Sequence, residues 1–460
     1  MIKSSDIFLT RSLREKPWGE KAARIMASAL AAVDPKESVK KHLGREKNIL
    51  QVVDQNINLD LFNSVTLLAV GKAALPMALG AAEILSEKLT RGFILTKPGD
   101  IHVPEEYQNK LKLFFGGHPI PNQGSVNAAA EIIHQLSGLT EHDLVIVLIS
   151  GGGSTLFSAP EEGITLTDLQ QTNRALMRCG ANIQEINTIR KHLSRVKGGQ
   201  LARIIHPAKT FSLVLSDVIG DPLDMIASGP TVPDRSTFQD AVSISQKYHL
   251  RDAFPQSVNS RLESGSLGGY TETPKPGDSI FRDQINLVIG SNHDAIQGAV
   301  TQAIQEGFQA GIIPDPLSGE ARLAGVQMAK VLKQMAQDGN PLPRPACLIA
   351  GGETTVTLNI EDPGLGGRNL ETALSAVRHL AGLKNAALIT LATDGEDGIT
   401  DAAGAVVTGE TFTRANEMDL NPDVFLKEHN AYPFFESLDD LLLPGVTQTN
   451  VNDLCFLFTF

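Results

Sequence analysis

Residues 144–155 read LVIVLISGGGST, and this stretch decides the fold of the chain. Six apolar residues in a row predict a strand that is buried on both faces, because a strand with one wet face would alternate. Three glycines directly after the strand indicate a tight turn into a helix. The stretch therefore favours a parallel α/β sheet, with a loop at the carboxyl end of this strand.

The same pattern recurs on both sides of this stretch. Further apolar runs predict strands at residues 65–70, 111–115, 211–215, 285–289, 347–350 and 386–392, and a last strand within 450–460. Helical patterns lie between them at residues 19–33, 73–88, 124–136, 167–180, 293–306 and 319–335. Strands that alternate with helices predict an α/β fold whose parallel sheets are covered on both faces.

One segment differs from the rest in composition. Residues 257–282 are dominated by Ser, Gly, Thr, Pro, Glu and Asp, which is typical of a linker or an exposed loop. We therefore predict an N-terminal domain over residues 1–265, with a limit that could extend to about 320, and a C-terminal domain over 266–460.

Bulk composition excludes several classes of protein. The 460 residues are 42% hydrophobic and 20% charged, as in a globular protein of two or three domains. A net charge of −12 disfavours non-specific binding to nucleic acid. The apolar runs are too short to span a membrane, and no secretory signal or transit peptide is visible. Because three scattered cysteines indicate no disulfide framework or zinc site, we expect a cytoplasmic protein.

Candidate phosphate-binding groups follow two predicted strands. Lys72 stands where a helix begins, and a cation there is unfavourable unless an anion binds beside it. A solvated lysine beside a turn is the alternative, and the segment lacks the first glycine and the Ser or Thr of a Walker A loop. The second candidate is the glycine-rich segment after the strand at residues 144–149, which predicts a phosphate cradle of backbone amides and hydroxyls. Its residues are Ser150, Gly151, Gly152, Gly153 and Ser154.

Acids and further cations follow other strands. Asp217 and Asp221 suit Mg²⁺ or a catalytic base, although an Asp-x-x-x-Asp pair often only caps a turn. Arg368 opens a helix, where a guanidinium can bind phosphate through two hydrogen bonds. The cluster Arg190-Lys191-His192 is either a solvated helix face or an anion contact.

Nine motifs together resemble those of the MOFRL-type glycerate 2-kinases, in the same order and over nearly the whole chain. They are Val70–Ala73, Gly117–Pro119, Ser150–Ser154, Leu215–Asp221, Ser228–Thr231, Gly351–Thr354, Gly366–Asn369, Thr393–Gly395 and Asn450–Asp453. Val446 and Gln448 depart from the family pattern beside the last motif, which puts the geometry of that loop in doubt.

The resemblance implies a Rossmann-like N-terminal domain with a parallel sheet, a smaller α/β C-terminal MOFRL domain, and an active site in the cleft between them. It implies that Lys72, Asp217 (or Asp221) and Arg368 are the catalytic residues. It implies ATP and Mg²⁺ as cofactors and D-glycerate as the substrate, with Asp217 and Asp221 as the candidate metal ligands. The candidate nucleotide-binding residues are the segment Ser150–Ser154, Lys191, Glu353 and Asp394.

The main hypothesis is transfer of the γ-phosphoryl group of ATP to the C2 hydroxyl of D-glycerate, giving 2-phosphoglycerate. A nicotinamide-dependent hydroxypyruvate reductase is the first alternative, because residues 364–366 resemble part of a dinucleotide fingerprint; Asn369 stands in its third glycine position. A non-catalytic protein that binds sugar acids is the second. The sequence leaves open the hydroxyl that is phosphorylated, the range of hydroxyacids, the roles of the two aspartates and the oligomeric state, with a homodimer among the options.

Overall fold

The computed structural model describes residues 4–358 and 360–460, which fold into two compact units. One unit, here called the parallel-sheet unit, is Pro35–Ile289. The other, the mixed-sheet unit, contains Gly290–Phe460 and the described residues up to Asp34. The division differs from the predicted one at the N-terminus, because the first helices belong with the C-terminal unit. The second boundary, at 289/290, lies between the predicted limit of 265 and its extension to about 320.

The parallel-sheet unit is preceded by helices α1 (Arg11–Arg14) and α2 (Gly19–Ala32) of the other unit and is built on nine strands. The strands are β1 (Leu43–Glu46), β2 (Ile49–Val52), β3 (Gln55–Asn58), β4 (Ser64–Val70), β5 (Arg91–Thr96), β6 (Leu111–Phe115), β7 (Asp143–Ile149), β8 (Lys209–Leu215) and β9 (Gln284–Gly290). A small antiparallel sheet has the order β1-β2-β3, and the main sheet has the order β6-β5-β4-β7-β8-β9. Strands β4 to β8 all pair in parallel with their neighbours in this sheet, as the buried apolar runs predicted.

Nine helices belong to the parallel-sheet unit. They are α3 (Pro35–His42), α4 (Ala74–Leu85), α5 (Gln123–Leu136), α6 (Gly153–Leu156), α7 (Leu166–Arg178), α8 (Ile183–His192), α9 (Gln200–Ile205), α10 (Phe238–Lys247) and α11 (Gln256–Ser266). Several have side-chain caps; at α8, for example, Asn182 accepts a hydrogen bond from the amide of Glu185.

Of the two predictions for residues 257–282, the linker between domains is wrong and the exposed loop is confirmed in part. Helix α11 occupies the first part of this segment, and the rest packs on the parallel-sheet unit. Thr273 is buried and donates a hydrogen bond from Oγ1 to Asp234 Oδ2 at 2.9 Å. Glu272 Oε1 accepts a hydrogen bond from the amide of Phe238 at 2.8 Å. Residues 267–271 and 276–279 are exposed, as predicted for a loop, whereas Glu272 and Thr273 satisfy polar groups inside the unit.

Among its described residues, the mixed-sheet unit adds six strands and six helices. The strands are β10 (Gln309–Ile312), β11 (Ala346–Gly352), β12 (Ala386–Ala392), β13 (Gly404–Thr408), β14 (Leu441–Leu442) and β15 (Asp453–Thr459). The helices are α12 (Asn292–Gln305), α13 (Ala321–Asp338), α14 (Arg368–Leu380), α15 (Thr411–Glu417), α16 (Pro422–Lys427) and α17 (Ala431–Ser437). Its sheet has the order β10-β11-β15-β12-β13-β14, in which β10 and β11 pair in parallel and the other pairs of described strands are antiparallel.

A close helix contact explains why the first helices belong to the mixed-sheet unit. Helix α2 packs on α12, where Ser28 donates a hydrogen bond from Oγ to the carbonyl of Gly298 at 3.2 Å. A Cβ atom on Gly298 would lie 2.5 Å from the Cβ of Ala32, so a larger residue would push the helices apart. Within the described residues, none of the helices combines the length and the apolar character that crossing a bilayer requires.

Candidate active site

In the parallel-sheet unit, the lysine segment and the glycine-rich segment lie side by side. The register of β4 and β7 pairs Val70 with Ile149, so both loops begin at the same level. The amide of Ser150 donates to the carbonyl of Val70 at 2.9 Å, and the amide of Lys72 donates to the carbonyl of Gly151 at 2.8 Å. The structure therefore brings Lys72 together with Ser150–Ser154, as expected for neighbouring parallel strands.

Two glycines permit this close approach. Gly71 has φ 129°, and a Cβ atom there would lie 2.2 Å from Ser150 Oγ. Gly152 has φ 80°, and a Cβ atom there would lie 3.1 Å from the ring of His118 and 3.4 Å from Lys72 Cγ. The stem of Lys72 and the His118 ring thus flank the turn, and only glycine fits both positions without displacement.

The glycine-rich turn presents amides that no other protein group uses. Within the described part of the chain, the backbone amides of Gly151, Gly152 and Ser154 donate no hydrogen bond. Successive amides of this kind form a concave site for an oxyanion. The neighbouring lysine adds positive charge, so the turn has the chemistry of a phosphate site.

A chain of hydroxyl groups supports the turn from one side. Ser228 donates a hydrogen bond from Oγ to Asn187 Oδ1 at 3.0 Å, and Ser154 Oγ lies 2.9 Å from Ser228 Oγ. Because Ser228 has a single hydroxyl proton, Ser154 must be the donor to Ser228. The sequence analysis did not single out Asn187, since nothing in a helix sequence indicates that it contacts a serine 41 residues away.

The two candidate metal ligands follow β8. Asp217 and Asp221 are both half-buried, and Asp221 has φ 56° with its amide donating to the carbonyl of Val218 at 3.0 Å. Across residues 4–358 and 360–460, no cluster of three or more His, Cys, Asp or Glu side chains forms a metal site. Two carboxylates that follow one strand suit Mg²⁺, which binds through one or two carboxylates and takes its other ligands from phosphate and water.

Lys191, the predicted nucleotide contact in α8, forms an internal ion pair. Its buried Nζ lies 3.2 Å from Asp234 Oδ1 and 3.9 Å from Asp224 Oδ2. Burial acts to raise the pKa of Asp234, but Lys191 and Ser236 hold this pKa below its usual value. The charge of Lys191 is therefore already balanced by the protein.

In the mixed-sheet unit, Arg368 is held by two acids. Its Nε and Nη2 donate to the carboxylate of Asp453 at 2.6 and 3.2 Å, and its Nη1 donates to Glu353 Oε1 at 2.6 Å. Burial alone would lower the pKa of Arg368, but the charge of Asp453 raises it above the ordinary value. The structure thus brings together Glu353 and Arg368 and adds Asp453, whose strand lies 85 residues further along the chain.

A carboxyl group from another part of the chain already accepts a hydrogen bond from the first turn of α14. Asp397 Oδ2 accepts a hydrogen bond from the amide of Leu370 at 2.8 Å, and burial raises the pKa of Asp397 to about 7. Asp394, three residues before it, is half-buried and accepts a hydrogen bond from the amide of Glu396 at 3.3 Å. A dinucleotide fingerprint would place a pyrophosphate at this helix terminus, so the carboxyl of Asp397 argues against that alternative.

Comparison with known protein families gives two matches. A model described as a domain of unknown function, DUF4147, matches residues 21–263, and the model of the MOFRL family matches residues 346–453. The chain is 40% identical over 433 residues to D-glycerate 2-kinase of Thermotoga maritima, covering 94% of this chain and 96% of that protein. It is also 37% identical over 442 residues to an Agrobacterium vitis protein named "Putative hydroxypyruvate reductase", covering 95% and 94%.

Comparison with solved structures gives a similar result. The crystal structure of glycerate kinase from Thermotoga maritima matches with a TM-score of 0.83 and 38% identity, covering 96% of this chain and 99% of that one. The agreement confirms the predicted fold class, a parallel-sheet α/β unit with a separate MOFRL unit.

Proposed function

Because the chain belongs to the MOFRL-containing family of glycerate 2-kinases, we propose that it transfers the γ-phosphoryl group of ATP to the C2 hydroxyl of D-glycerate. The product is 2-phosphoglycerate. One observation carries the proposal: Lys72 lies beside a turn whose amides at Gly151, Gly152 and Ser154 have no partner among the described residues.

This arrangement suits phosphoryl transfer, which needs positioning and charge neutralisation more than covalent chemistry. In the proposal, the three amides bind phosphate oxygens, and Lys72 offsets the charge that develops on them. Asp217 and Asp221 hold Mg²⁺, and Asp217 also accepts the proton of the attacking hydroxyl. The metal, when bound, neutralises charge on the phosphates.

The remaining predicted residues include one more catalytic residue and several that position other groups. Arg368 is the third catalytic residue, and Asp453 and Glu353 fix the direction of its guanidinium. Asp394 and Lys191 belong to the nucleotide site. Since Asp234 balances the charge of Lys191, this lysine orients polar groups rather than supplying positive charge.

The test is a coupled assay that follows ADP release when D-glycerate is added, with the product identified by ³¹P NMR. We expect Lys72→Ala to lower kcat by at least about 100-fold, because it removes charge stabilisation of the transition state. Lys112→Ala is the matched control, since Lys112 is an exposed lysine of the same unit and pairs with Glu131. A Lys72→Ala protein with the wild-type rate would remove this lysine from the mechanism.

The name of the Agrobacterium relative makes hydroxypyruvate reduction a second candidate. It predicts loss of NADH when hydroxypyruvate is added and no ADP release with glycerate. Binding of glycerate with neither reaction would instead support a non-catalytic protein that binds sugar acids.

A further inference from the structure

A small cavity lies directly behind the glycine-rich turn of the parallel-sheet unit. Twelve residues line it, among them Ser154 and Thr155 of the turn, Ser158, and two cations, Arg190 and Lys197. Its volume is about 30 Å³, measured over the positions that the centre of a water molecule can occupy. A single water needs roughly 10–15 Å³ on this measure, so the cavity has room for two or three small polar atoms.

The two cations have no acid as a partner in this cavity. Arg190 donates a hydrogen bond from Nε to Asn173 Oδ1 at 2.7 Å, and Lys197, which is 6% exposed, donates from Nζ to the carbonyl of Phe157 at 3.2 Å. No Asp or Glu is found among the described residues that line the space. A buried and a half-buried positive charge without an acid among the described lining residues are costly, so the site favours an anion.

The pKa values of both cations agree with this geometry. Burial lowers the pKa of Arg190. Burial, and then the charge of Arg190, lower the pKa of Lys197 to about 7. A bound anion would reverse both effects, because an opposite charge at hydrogen-bond distance favours the protonated form.

The size of the cavity limits the kind of anion. A carboxylate has two oxygens in one plane, which matches two water-sized positions and the planar donors of a guanidinium. A phosphoryl group has more oxygens in a tetrahedral arrangement and needs more room. The neighbouring hydroxyls of Ser154 and Thr155 connect the cavity with the turn proposed to bind phosphate.

We propose that this cavity binds the carboxylate of the hydroxyacid substrate through Arg190 and Lys197, which places the acid beside the glycine-rich turn. The assignment rests on the proposed kinase function for the identity of the acid. The anion site itself rests on the cavity and its cations.

The kinetic test uses Lys197→Met and Arg190→Gln in the full chain. Each should raise KM for D-glycerate at least ten-fold while KM for ATP stays within two-fold of wild type, because only the carboxylate contact is removed. Arg203→Gln is the matched control, since Arg203 is a partly buried arginine of the same unit that does not line the cavity. It donates hydrogen bonds to the side chain of Gln200 and to the backbone carbonyl of Glu272. Folded variants with an unchanged KM for D-glycerate would overturn the assignment.

A binding test separates this proposal from the kinase function. Formate, the smallest carboxylate, is titrated calorimetrically against wild type, Lys197→Met, Arg190→Lys and Arg203→Gln. We expect binding to wild type and to Arg203→Gln, weaker binding to Arg190→Lys, and none to Lys197→Met. Equal formate binding by all four proteins would overturn the anion site. A wild-type protein that releases no ADP with D-glycerate would overturn the kinase function, whereas loss of formate binding in Lys197→Met would still support the anion site.

Discussion

The buried lysine of the cavity makes a quantitative prediction for stability. The pKa of Lys197 is about 7 in the folded protein, against an ordinary value of 10.5. Between these two values the unfolded chain binds more protons than the folded one, so stability should rise with pH in this window. Below about pH 7 the buried, charged lysine lowers the free energy of unfolding by its full amount. Above about pH 10.5 the lysine is neutral in both states and this loss of stability disappears.

The perturbation is Lys197→Met, which removes the titration and keeps a side chain of similar length. Each pH unit is worth up to about 1.4 kcal/mol, and integration over about pH 6 to 9 gives roughly 2–3 kcal/mol. The unfolding free energy of wild type should therefore rise by this amount relative to Lys197→Met across the range.

The assay is urea unfolding of both full-length proteins, followed by far-UV circular dichroism at several pH values. The single tryptophan, Trp18, lies at the N-cap of α2 in the mixed-sheet unit, so its fluorescence gives a separate readout of that unit. Saturating formate should reduce the pH dependence, since a bound anion stabilises the charged lysine. A difference between the two proteins that stays constant within about 0.5 kcal/mol over the range would refute the reasoning.

Two further substitutions test the geometry of each unit. Gly71→Ala should lower stability by at least about 2 kcal/mol in urea unfolding, because its Cβ would overlap Ser150; Gly138→Ala, also at positive φ but with open space, should cost about 1 kcal/mol. Arg368→Ala should cost about 3–5 kcal/mol, since it leaves the buried Asp453 without its cation, and the double variant Arg368→Ala/Asp453→Asn should recover part of this loss. Equal unfolding free energies of Arg368→Ala and Arg368→Ala/Asp453→Asn would show that the unpaired charge of Asp453 does not cause the loss of stability.

Much of the fold could be predicted from apolar runs alone. Residues 111–115 and 386–392 are strands at the predicted bounds, and β4, β7 and β8 begin one or two residues earlier than predicted. Buried strands lack alternation whatever their direction, however, so the prediction of parallel strands was right for the first sheet and wrong for most of the second. Strand β15 pairs antiparallel with both β11 and β12, which makes the second sheet mixed rather than parallel.

The strands that the sequence analysis missed have weaker signals. Strand β5 begins with Arg91 and Gly92, so its apolar run is only three residues before Thr96. Strands β1 to β3 form a small hairpin sheet with polar residues on its exposed positions. Such strands are specified by pairing with neighbours and not by burial, and a short-range pattern detects them poorly.

The sequence also could not indicate which lysines of the candidate site already have a counter-ion in the folded protein. Lys191 and Lys197 are six positions apart, and the sequence analysis selected Lys191 because it belongs to a cationic cluster. In the structure Lys197 is the stronger candidate for binding an anion. Asp234, 43 residues away, balances the charge of Lys191, whereas Lys197 faces a cavity whose described lining residues include no acid. A buried cation attracts an anionic ligand more strongly when the protein has not already supplied its counter-ion. That condition depends on tertiary contacts, so it becomes visible only once the chain is folded.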